Sequence, residues 1–386
     1  MQELNLHNHD FLNQQSLDLI PDHIDTENDK ITELSKKGYQ LLKENEIDEA
    51  RKLFQSILDI EENNNYALVG LGDTARIQNQ FNLAITYYNK CLSFYPSNNY
   101  ALFGLADCYK ALNQFQKAID IWQEYLKHDE KNITVITRAA DAYRKIRDFK
   151  KSKELYLRVL DVEQDNPYAL IGLGHLSYDF KEYKDALYYW TRIYELNQDN
   201  SDIRVLTAIG NCHRKIKTFQ QGLIYFQKAL DKDPKNFYAL FGMADCYRGL
   251  NEHTSSIEYW KKILDIDPNN KVILTRAGDA YRTIKDYDMA VSYYNKALDI
   301  DFDIYAAIGL ALICKEKKNY EEAISRFEDL IKSDPRNARL YLDLAECYAH
   351  VNQKQAAITL LENYLHNDGR NIQIKLYVDK LKNALR

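Results

Sequence analysis

Proline and glycine are scarce in this sequence, which has 6 prolines and 13 glycines among 386 residues. Because these two residues mark turns and irregular loops, their scarcity argues for many helices and short connections. The 6 cysteines show no CxxC pair and no zinc-ligand spacing. We therefore expect reduced, buried thiols and no metal site.

An excess of basic residues is also missing, since 57 acidic residues outnumber 51 basic ones and the net charge is −6. Nucleic-acid-binding proteins usually carry a basic surface, so no nucleic-acid partner is expected. No apolar run approaches the length of a membrane span. The N-terminal stretch MQELNLHNHDFLNQQ lacks the basic and apolar regions of a secretory signal, and we expect a cytoplasmic protein.

What the sequence does contain is a repeat of about 34 residues. NYALFGLADCY at 99–109 returns as FYALFGMADCY at 237–247, and about ten units run from residue 31 to residue 371. We count positions from the first residue of each unit, so that unit 65–98 has position 4 at Leu68. Apolar and small residues at positions 4, 7, 8 and 11 predict a first helix, and those at 20, 24 and 27 predict a second.

The repeat resembles the tetratricopeptide repeat (TPR) family. Unit 65–98 places Leu68, Leu71-Gly72, Ala84, Tyr88 and Pro96 at family positions, although Ala75 replaces the usual tyrosine. The resemblance implies an all-α fold, a right-handed superhelical α-solenoid of antiparallel helix pairs. It divides the chain into a flexible, polar and acidic segment 1–30, the repeat array 31–371 and a capping helix 372–386 with a polar outer side.

A second layer of repetition spans several units. The pair 99–166 resembles the pair 237–303 more closely than adjacent units resemble each other. This predicts the duplication of a block of about four repeats.

The TPR resemblance also implies a partner-binding groove, lined by the first helix of each pair. Aromatic residues recur there at positions 2 and 5, aspartate or asparagine at 9, and arginine or lysine at 12, with arginine at position 6 of two units. The predicted groove residues are Tyr66, Asp73, Arg76, Tyr100, Phe103, Asp107, Lys110, Arg138, Asp141, Arg144, Tyr168, Asn211, Arg214, Tyr238, Phe241, Asp245, Arg248, Arg276, Asp279 and Arg282. An acidic row beside a basic row suits an extended peptide or a helix of mixed charge.

Two features of this groove have alternative explanations. The recurring glycines at position 6 could serve close helix packing or leave room for a ligand backbone. The Asp and Arg residues at i, i+3 could be only helix-stabilising surface pairs.

One TPR ligand can be tested on the sequence. The clamp for chaperone C-terminal carboxylates would need Lys and Asn where unit 203–236 has Thr207 and Asn211, and its third unit would need Lys where Val272 stands. Few clamp positions match, so chaperone C-termini are not expected as ligands.

No catalytic motif appears, and too few residues remain outside the repeats for a catalytic domain. We predict no catalytic residue, no metal and no cofactor. Trp122, Trp190 and Trp260 all occupy position 24 and are predicted to be core residues.

The expected function is a non-enzymatic scaffold or adaptor that binds a protein partner in the groove. The alternative is an architectural subunit of a larger assembly or homo-oligomer, joined through repeat edges or the convex face, and residues 10–25 could act as an internal lid or as a motif for another protein.

Overall fold

The computed structural model describes residues 26–197, 201–367 and 370–384, and every regular element in these ranges is an α-helix. The chain divides between Leu196 and Asn197 into two compact units, called the first and the second unit below. The 34-residue units of the sequence are called repeats from here on. The first unit holds α1 Thr26–Lys43, α2 Ile47–Ile60, α3 Asn65–Ile77, α4 Phe81–Phe94, α5 Asn99–Ala111, α6 Phe115–His128, α7 Ile133–Lys145, α8 Phe149–Val162, α9 Pro167–Asp179 and α10 Tyr183–Leu196. The second unit holds α11 Ile203–Lys215, α12 Phe219–Lys232, α13 Phe237–Gly249, α14 His253–Ile266, α15 Lys271–Thr283, α16 Tyr287–Ile300, α17 Ile304–Glu316, α18 Tyr320–Ser333, α19 Ala338–His350, α20 Lys354–Asn367 and α21 Ile372–Asn383.

Odd-numbered helices up to α19 are the first helices of the repeats, called A helices below, and even-numbered ones are the B helices. This arrangement confirms the predicted all-α solenoid of helix pairs. The predicted N-terminal segment 1–30 and its apolar island 10–25 lie outside the described residues, except that α1 begins at Thr26.

Asparagine side chains cap the start of most of the A helices, as the repeat boundaries predict. Asn236 accepts a hydrogen bond from the Ala239 backbone N–H at 3.1 Å, and Asn270 accepts one from Ile273 at 3.3 Å. Asn337 occupies the same place without a side-chain cap bond. These caps satisfy backbone donors that the first helical turn leaves unpaired.

The turn from A helix to B helix passes through one residue with positive φ. At Asn79, for example, φ is 59°, and the Gln80 N–H donates to the Ala75 carbonyl at 2.8 Å. Asparagine tolerates this left-handed conformation better than most residues with a Cβ, and it recurs at Asn113 and Asn251. The tight turn returns each B helix antiparallel to its A helix.

The core of nine repeats is built around an aromatic ring at position 24, and the tenth repeat has Leu361 there. Small residues at positions 8 and 20, such as Ala106 and Ala118, are fully buried and allow the two helices to approach. The largest fully buried side chains at position 24 are Phe54, Tyr88, Trp122, Tyr156, Phe226, Trp260, Tyr294 and Phe327. Burying one such side chain stabilises the fold by about 1.5–3 kcal/mol. The predicted core position of the three tryptophans is confirmed, since Trp190 is also buried.

Several A helices also pack against the A helix of the next repeat, and they do so more extensively than successive B helices do among the described residues. A helices therefore lie on the inner side of the curve within each unit. None of the described helices is both long enough and apolar enough to cross a membrane.

The final helix, α21, packs on α20 through Ile374, Val378 and Leu381. Its other face is less polar than predicted, because Ile372 and Leu376 are exposed there. The six cysteines are free and all but Cys314 are buried, which agrees with their predicted role in packing.

Candidate functional site on the A-helix faces

Each A helix carries one stripe of residues at positions 2, 5 or 6, 9 and 12. On α13 the stripe consists of Tyr238, Phe241, Asp245 and Arg248, spaced so that they share one side of the helix. We call the stripes of one unit its A-helix face. Ion pairs between neighbouring A helices show that the aspartate and arginine rows lie side by side within a unit.

The aspartate row is tied to the core by tyrosine hydroxyls. Tyr88 Oη donates a hydrogen bond to Asp73 Oδ1 at 2.8 Å, and Tyr294 Oη donates one to Asp279 Oδ1 at 2.8 Å. Tyr156 Oη makes the same bond to Asp141. Burial, followed by the charge of Asp73, holds the pKa of Tyr88 well above its ordinary value. The hydroxyl therefore stays protonated and remains a donor.

The arginine row is paired in more than one way. Arg76 Nη2 lies 3.0 Å from Asp73 on its own helix, as the i, i+3 spacing predicts. Arg144 instead reaches the next A helix, where its Nη1 lies 3.1 Å from Asp179. Arg282 pairs with Glu316 in the same manner. Asp179 and Glu316 are thus partners that the sequence analysis missed.

The space beside each position-6 glycine is filled by an aromatic ring and leaves no room for a ligand backbone. A Cβ on Gly104 would come within 2.3 Å of the Tyr88 ring, and one on Gly242 within 2.2 Å of the Phe226 ring. The same ring also lies against the position-8 glycine of its own repeat, so Tyr88 fills the space between Gly72 and Gly104. The structure therefore supports the packing explanation, with an internal aromatic ring in place of the ligand backbone.

In the first unit, Asp107 and Arg138 form a closed ion pair. Arg138 Nη1 lies 2.7 Å from Asp107 Oδ1, and its side chain is only 6% exposed. The guanidinium also lies 4.8 Å from the centre of the Phe103 ring. Because Phe103 and Arg138 are buried, the structure assigns them to the core, contrary to their predicted role as groove contacts.

In the second unit, the equivalent ion pair between Asp245 and Arg276 is longer, and its arginine is more exposed. Asp245 lies 2.6 Å from Arg214 Nη1, 2.7 Å from Arg248 Nη2 and 3.8 Å from Arg276 Nη1. Burial raises the pKa of Asp245, but the hydrogen bonds from Arg248 and Arg214 outweigh it and hold the pKa below its ordinary value. Arg276 is 38% exposed, whereas its counterpart Arg138 is 6% exposed.

The two clusters differ at three equivalent positions. Arg248 stands where the first unit has Lys110, and it binds Oδ1 of Asp245, the oxygen that Arg276 faces. Asn211 and Phe226 stand in the second unit where Asp73 and Tyr88 stand in the first. Arg214 consequently finds only a neutral acceptor on its own helix, Asn211 Oδ1 at 3.2 Å. Its Nη1 turns to Asp245 and takes the carboxylate oxygen that faces α11.

Family models described as tetratricopeptide repeat match residues 66–98, 100–130, 137–201, 218–271, 273–304 and 316–378. The chain belongs to the TPR family. TPR proteins are generally non-enzymatic scaffolds for protein–protein interaction.

Three solved structures illustrate the similarity to known proteins. A tetratricopeptide repeat protein from Parabacteroides merdae is 15% identical, with 65% of this chain and 99% of that chain covered and a TM-score of 0.48. YrrB, described as a TPR protein with an unusual peptide-binding site, is 20% identical, with 48% and 95% covered and a TM-score of 0.43. Yeast Tom70 is 16% identical, with 93% and 97% covered and a TM-score of 0.41. No curated protein matches the chain.

The exposed aromatic residues of this TPR chain are unevenly placed on the A-helix faces. At position 2, Tyr238 is 52% exposed and Tyr305 is 70% exposed in the second unit. Their counterparts in the first unit are half-buried: Tyr66, Tyr100 and Tyr168. The two units therefore carry similar sequences but different accessible surfaces.

Sequence reasoning missed the link between positions 9 and 24. The sequence contained a signal for this link, since tyrosine follows aspartate by fifteen residues at Asp73 and Tyr88, and again in two other repeats. Where the aspartate becomes Asn211, the tyrosine becomes Phe226. Reading the two positions together would have indicated that three aspartates of the row are hydrogen-bonded to core tyrosines.

Proposed function

We propose that this TPR chain is a non-enzymatic adaptor that binds an extended peptide or a helix of a protein partner on the A-helix face of its second unit. The observation that carries the proposal is the combination of exposed Tyr238 and Tyr305 with exposed arginine on one inner face. Aromatic and arginine side chains are the residues that contribute most often to binding hot spots.

The inner face suits an elongated ligand because its stripes repeat from helix to helix. Tyr238, Val272 and Tyr305 start the stripes of three successive A helices and are all exposed. A ligand lying across these helices would meet an apolar side chain at each one and a charged side chain further along each stripe. This supports a partner segment of mixed polarity. The expectations of a cytoplasmic location and of a protein rather than a nucleic-acid partner remain sequence-based parts of the proposal.

The proposal is tested with a library of random peptides displayed on phage and selected on the full chain. Selected peptides are synthesised, and their affinities are measured by fluorescence anisotropy. The double variant Tyr238→Ala, Tyr305→Ala should weaken binding tenfold or more. The matched control is Ile224→Ala, Ile266→Ala, which removes two exposed apolar residues from B helices of the same unit and should leave binding unchanged.

Equal affinity of the selected peptides for both double variants would overturn the proposal. Circular dichroism melting of each variant shows whether the fold is retained. The substituted side chains are all exposed, so little change in melting temperature is expected.

A second candidate function is an architectural role, and exposed Ile372 and Leu376 on α21 favour it. Apolar residues on a terminal helix of a repeat array offer an edge for assembly. Light scattering of the wild type should then give a mass above 45.3 kDa that Leu376→Glu reduces to the monomer mass. A monomeric wild type over the accessible concentration range would exclude self-assembly through this edge.

A further inference from the structure

We propose that copies of this chain associate edge to edge, with a basic patch around Arg147 on the first unit of one copy binding an acidic patch around Ile300 on the second unit of another. Within each unit the antiparallel helix pairs create two edges. At the turn edge A helices end and B helices begin, and at the return edge B helices end and the next A helices begin. The proposed contact lies outside the stripes of the A-helix face and is distinct from assembly through α21.

The basic patch is built from two successive turns at the turn edge of the first unit. Its cations are all exposed: Lys145, Arg147, Lys150, Lys151 and Lys181. Arg147, Lys150 and Lys181 form no ion pair with any residue that the structure describes. Asp148 stands among them in the sequence and caps α8 by accepting the Lys151 backbone N–H at 3.1 Å. One carboxylate therefore faces five cations in this patch.

The carboxylates near the basic patch are already paired inside the first unit. Lys153 lies 3.5 Å from Glu182 and 3.7 Å from Asp185. Asp179 lies 3.1 Å from Arg144 Nη1. The positive charge is also local, since the equivalent turn two repeats earlier, residues 77–83, contains no charged residue. The basic patch is therefore a specific feature of this part of the edge.

Apolar side chains are exposed within the basic patch. Ile146 stands between Lys145 and Arg147 and is exposed. Phe180 is exposed on the next turn, and its ring packs against Phe149 with the ring centres 4.5 Å apart. This packing holds Phe180 in place while part of the ring still faces solvent. The patch thus has the apolar centre and charged surround that are typical of protein interfaces.

The acidic patch lies at the return edge of the second unit, where α14 and α16 end. The same three residues, Asp-Ile-Asp, stand at 265–267 and again at 299–301, and all six are exposed. Phe302 adds a third exposed apolar side chain. Lys271 lies 3.2 Å from Asp301 and pairs with it. The carboxylates that form no ion pair within the described part of the chain are Asp265, Asp267 and Asp299.

The two patches match in spacing and in charge. Ile146 and Phe180 stand one repeat apart, and so do Ile266 and Ile300. Because the stacking of helix pairs sets the distance between neighbouring repeats, the two apolar pairs have a similar separation along their edges. Cations surround the first pair, whereas carboxylates flank both isoleucines of the second pair. Placed against each other, the patches would bury apolar side chains between rows of opposite charge.

A second copy of the chain is the partner that these features favour. An anionic lipid surface would account for the basic patch but not for the matching acidic patch. Every copy carries one patch of each kind, on different units, so one contact leaves the other patch of each copy available. Such a heterologous contact passes from copy to copy, and the resulting assemblies grow with protein concentration.

The experiment measures the mass of the full chain by light scattering over a range of protein concentrations, at low and at high salt. The wild type should exceed the monomer mass of 45.3 kDa at low salt, and high salt should lower its mass because exposed ion pairs are screened. Arg147→Glu with Lys150→Glu should weaken association at least tenfold, and so should Asp265→Lys with Asp299→Lys. All four changes in one chain reverse both patches and should restore association.

The matched control is Lys36→Glu with Lys52→Glu, which makes the same change in net charge at two exposed lysines of the first repeat. It should leave the mass unchanged. Ile300→Ala with Phe302→Ala tests the apolar part of the contact and should weaken association at least fivefold at low salt. Circular dichroism melting of each variant shows whether the fold is retained, and the substituted side chains are all exposed.

The inference is overturned if the wild type is monomeric at low salt, if the control lowers the mass as much as the patch variants do, or if the four changes together fail to restore association. A monomeric wild type that binds vesicles of phosphatidylserine and phosphatidylcholine through Arg147 and Lys150 would assign the basic patch to a lipid surface instead. A larger mass that only Leu376→Glu lowers would retain assembly through α21 and remove the edge contact. Peptide binding on the A-helix face is measured separately, so its failure is distinct from failure of this inference.

Discussion

Tyr88 lies in the core of its repeat, and its hydroxyl reaches Asp73 on the A-helix face over 2.8 Å. The ring fills the space that Gly72 and Gly104 leave between two A helices. A single side chain therefore packs two repeats together and orients a carboxylate that the sequence analysis assigned to partner binding. Arg76 completes the group by donating from Nε to the same hydroxyl at 3.3 Å.

Tyr88→Phe should destabilise the protein by about 1.5–3 kcal/mol, because the carboxylate of Asp73 loses a hydrogen bond in a partly buried place. The double variant with Asp73→Ala should lose less than the sum of the two single changes, since both partners of the hydrogen bond are then removed. Urea unfolding followed by circular dichroism measures these free energies of unfolding. The control is Tyr305→Phe at an exposed position, and strict additivity would contradict a coupled pair.

Gly104→Ala should also destabilise the protein, by about 1–3 kcal/mol, because its Cβ would collide with the Tyr88 ring. The higher helix propensity of alanine, worth about 1 kcal/mol, acts in the opposite direction but is the smaller effect. Gly222→Ala is the matched control, since its Cβ would lie 3.2 Å from the Cys246 sulfur and has more room. A melting temperature for Gly104→Ala at or above that of Gly222→Ala would refute the steric explanation.

Arg138→Met should cost about 3–5 kcal/mol, because it leaves Asp107 as a buried carboxylate without its 2.7 Å partner. Lys332→Met removes one partner of an exposed pair, Lys332 and Asp329, and should leave the stability unchanged within error. The two variants lose the same charge, so the comparison isolates burial. Chemical denaturation of both variants tests this, and a similar small loss in each would mean that the buried pair adds nothing.

Asp245 should make the free energy of unfolding depend on pH in the acid range. Its pKa is lowered in the folded state, so its stabilising effect is complete above the ordinary aspartate value, about 3.9, and disappears as the pH falls through the lower folded-state value. The difference in free energy of unfolding between wild type and Asp245→Asn should therefore be largest near pH 7 and shrink below about pH 4. Urea titrations from pH 7 to pH 2.5 measure it, and a difference that grows in acid would reverse the assigned sign.

The repeat period and the helix pairs could be predicted from local spacing, because each helix repeats its apolar positions at 3.6-residue intervals and ends at turn residues. The Asn caps before α13 and α15 and the core tryptophans follow from the same pattern. The choice of stripe residues on each A helix was also accessible, because residues three and four apart share a helix side whatever the neighbouring helices do.

The solvent exposure of those residues could not be predicted in this way. Phe103 and Phe241 occupy the same position in nearly identical segments, yet Phe103 is buried while Phe241 lies beneath a partly exposed arginine. Asn211 and Phe226, on neighbouring helices, leave Arg214 to bind one oxygen of Asp245, and Arg248, which replaces the lysine of the first unit, binds the other. Such effects depend on which side chains meet between repeats, and no spacing within one helix contains that information.

The sequence by itself determined the family, the helical architecture and the alternation of acidic and basic positions, since these depend on periodicity along the chain. Only the tertiary structure decided which glycines are filled by rings, which ion pairs are closed and which arginine remains open. The physical reason is that burial and pairing are settled by contacts between helices about thirty residues apart, as at Arg138 and Asp107.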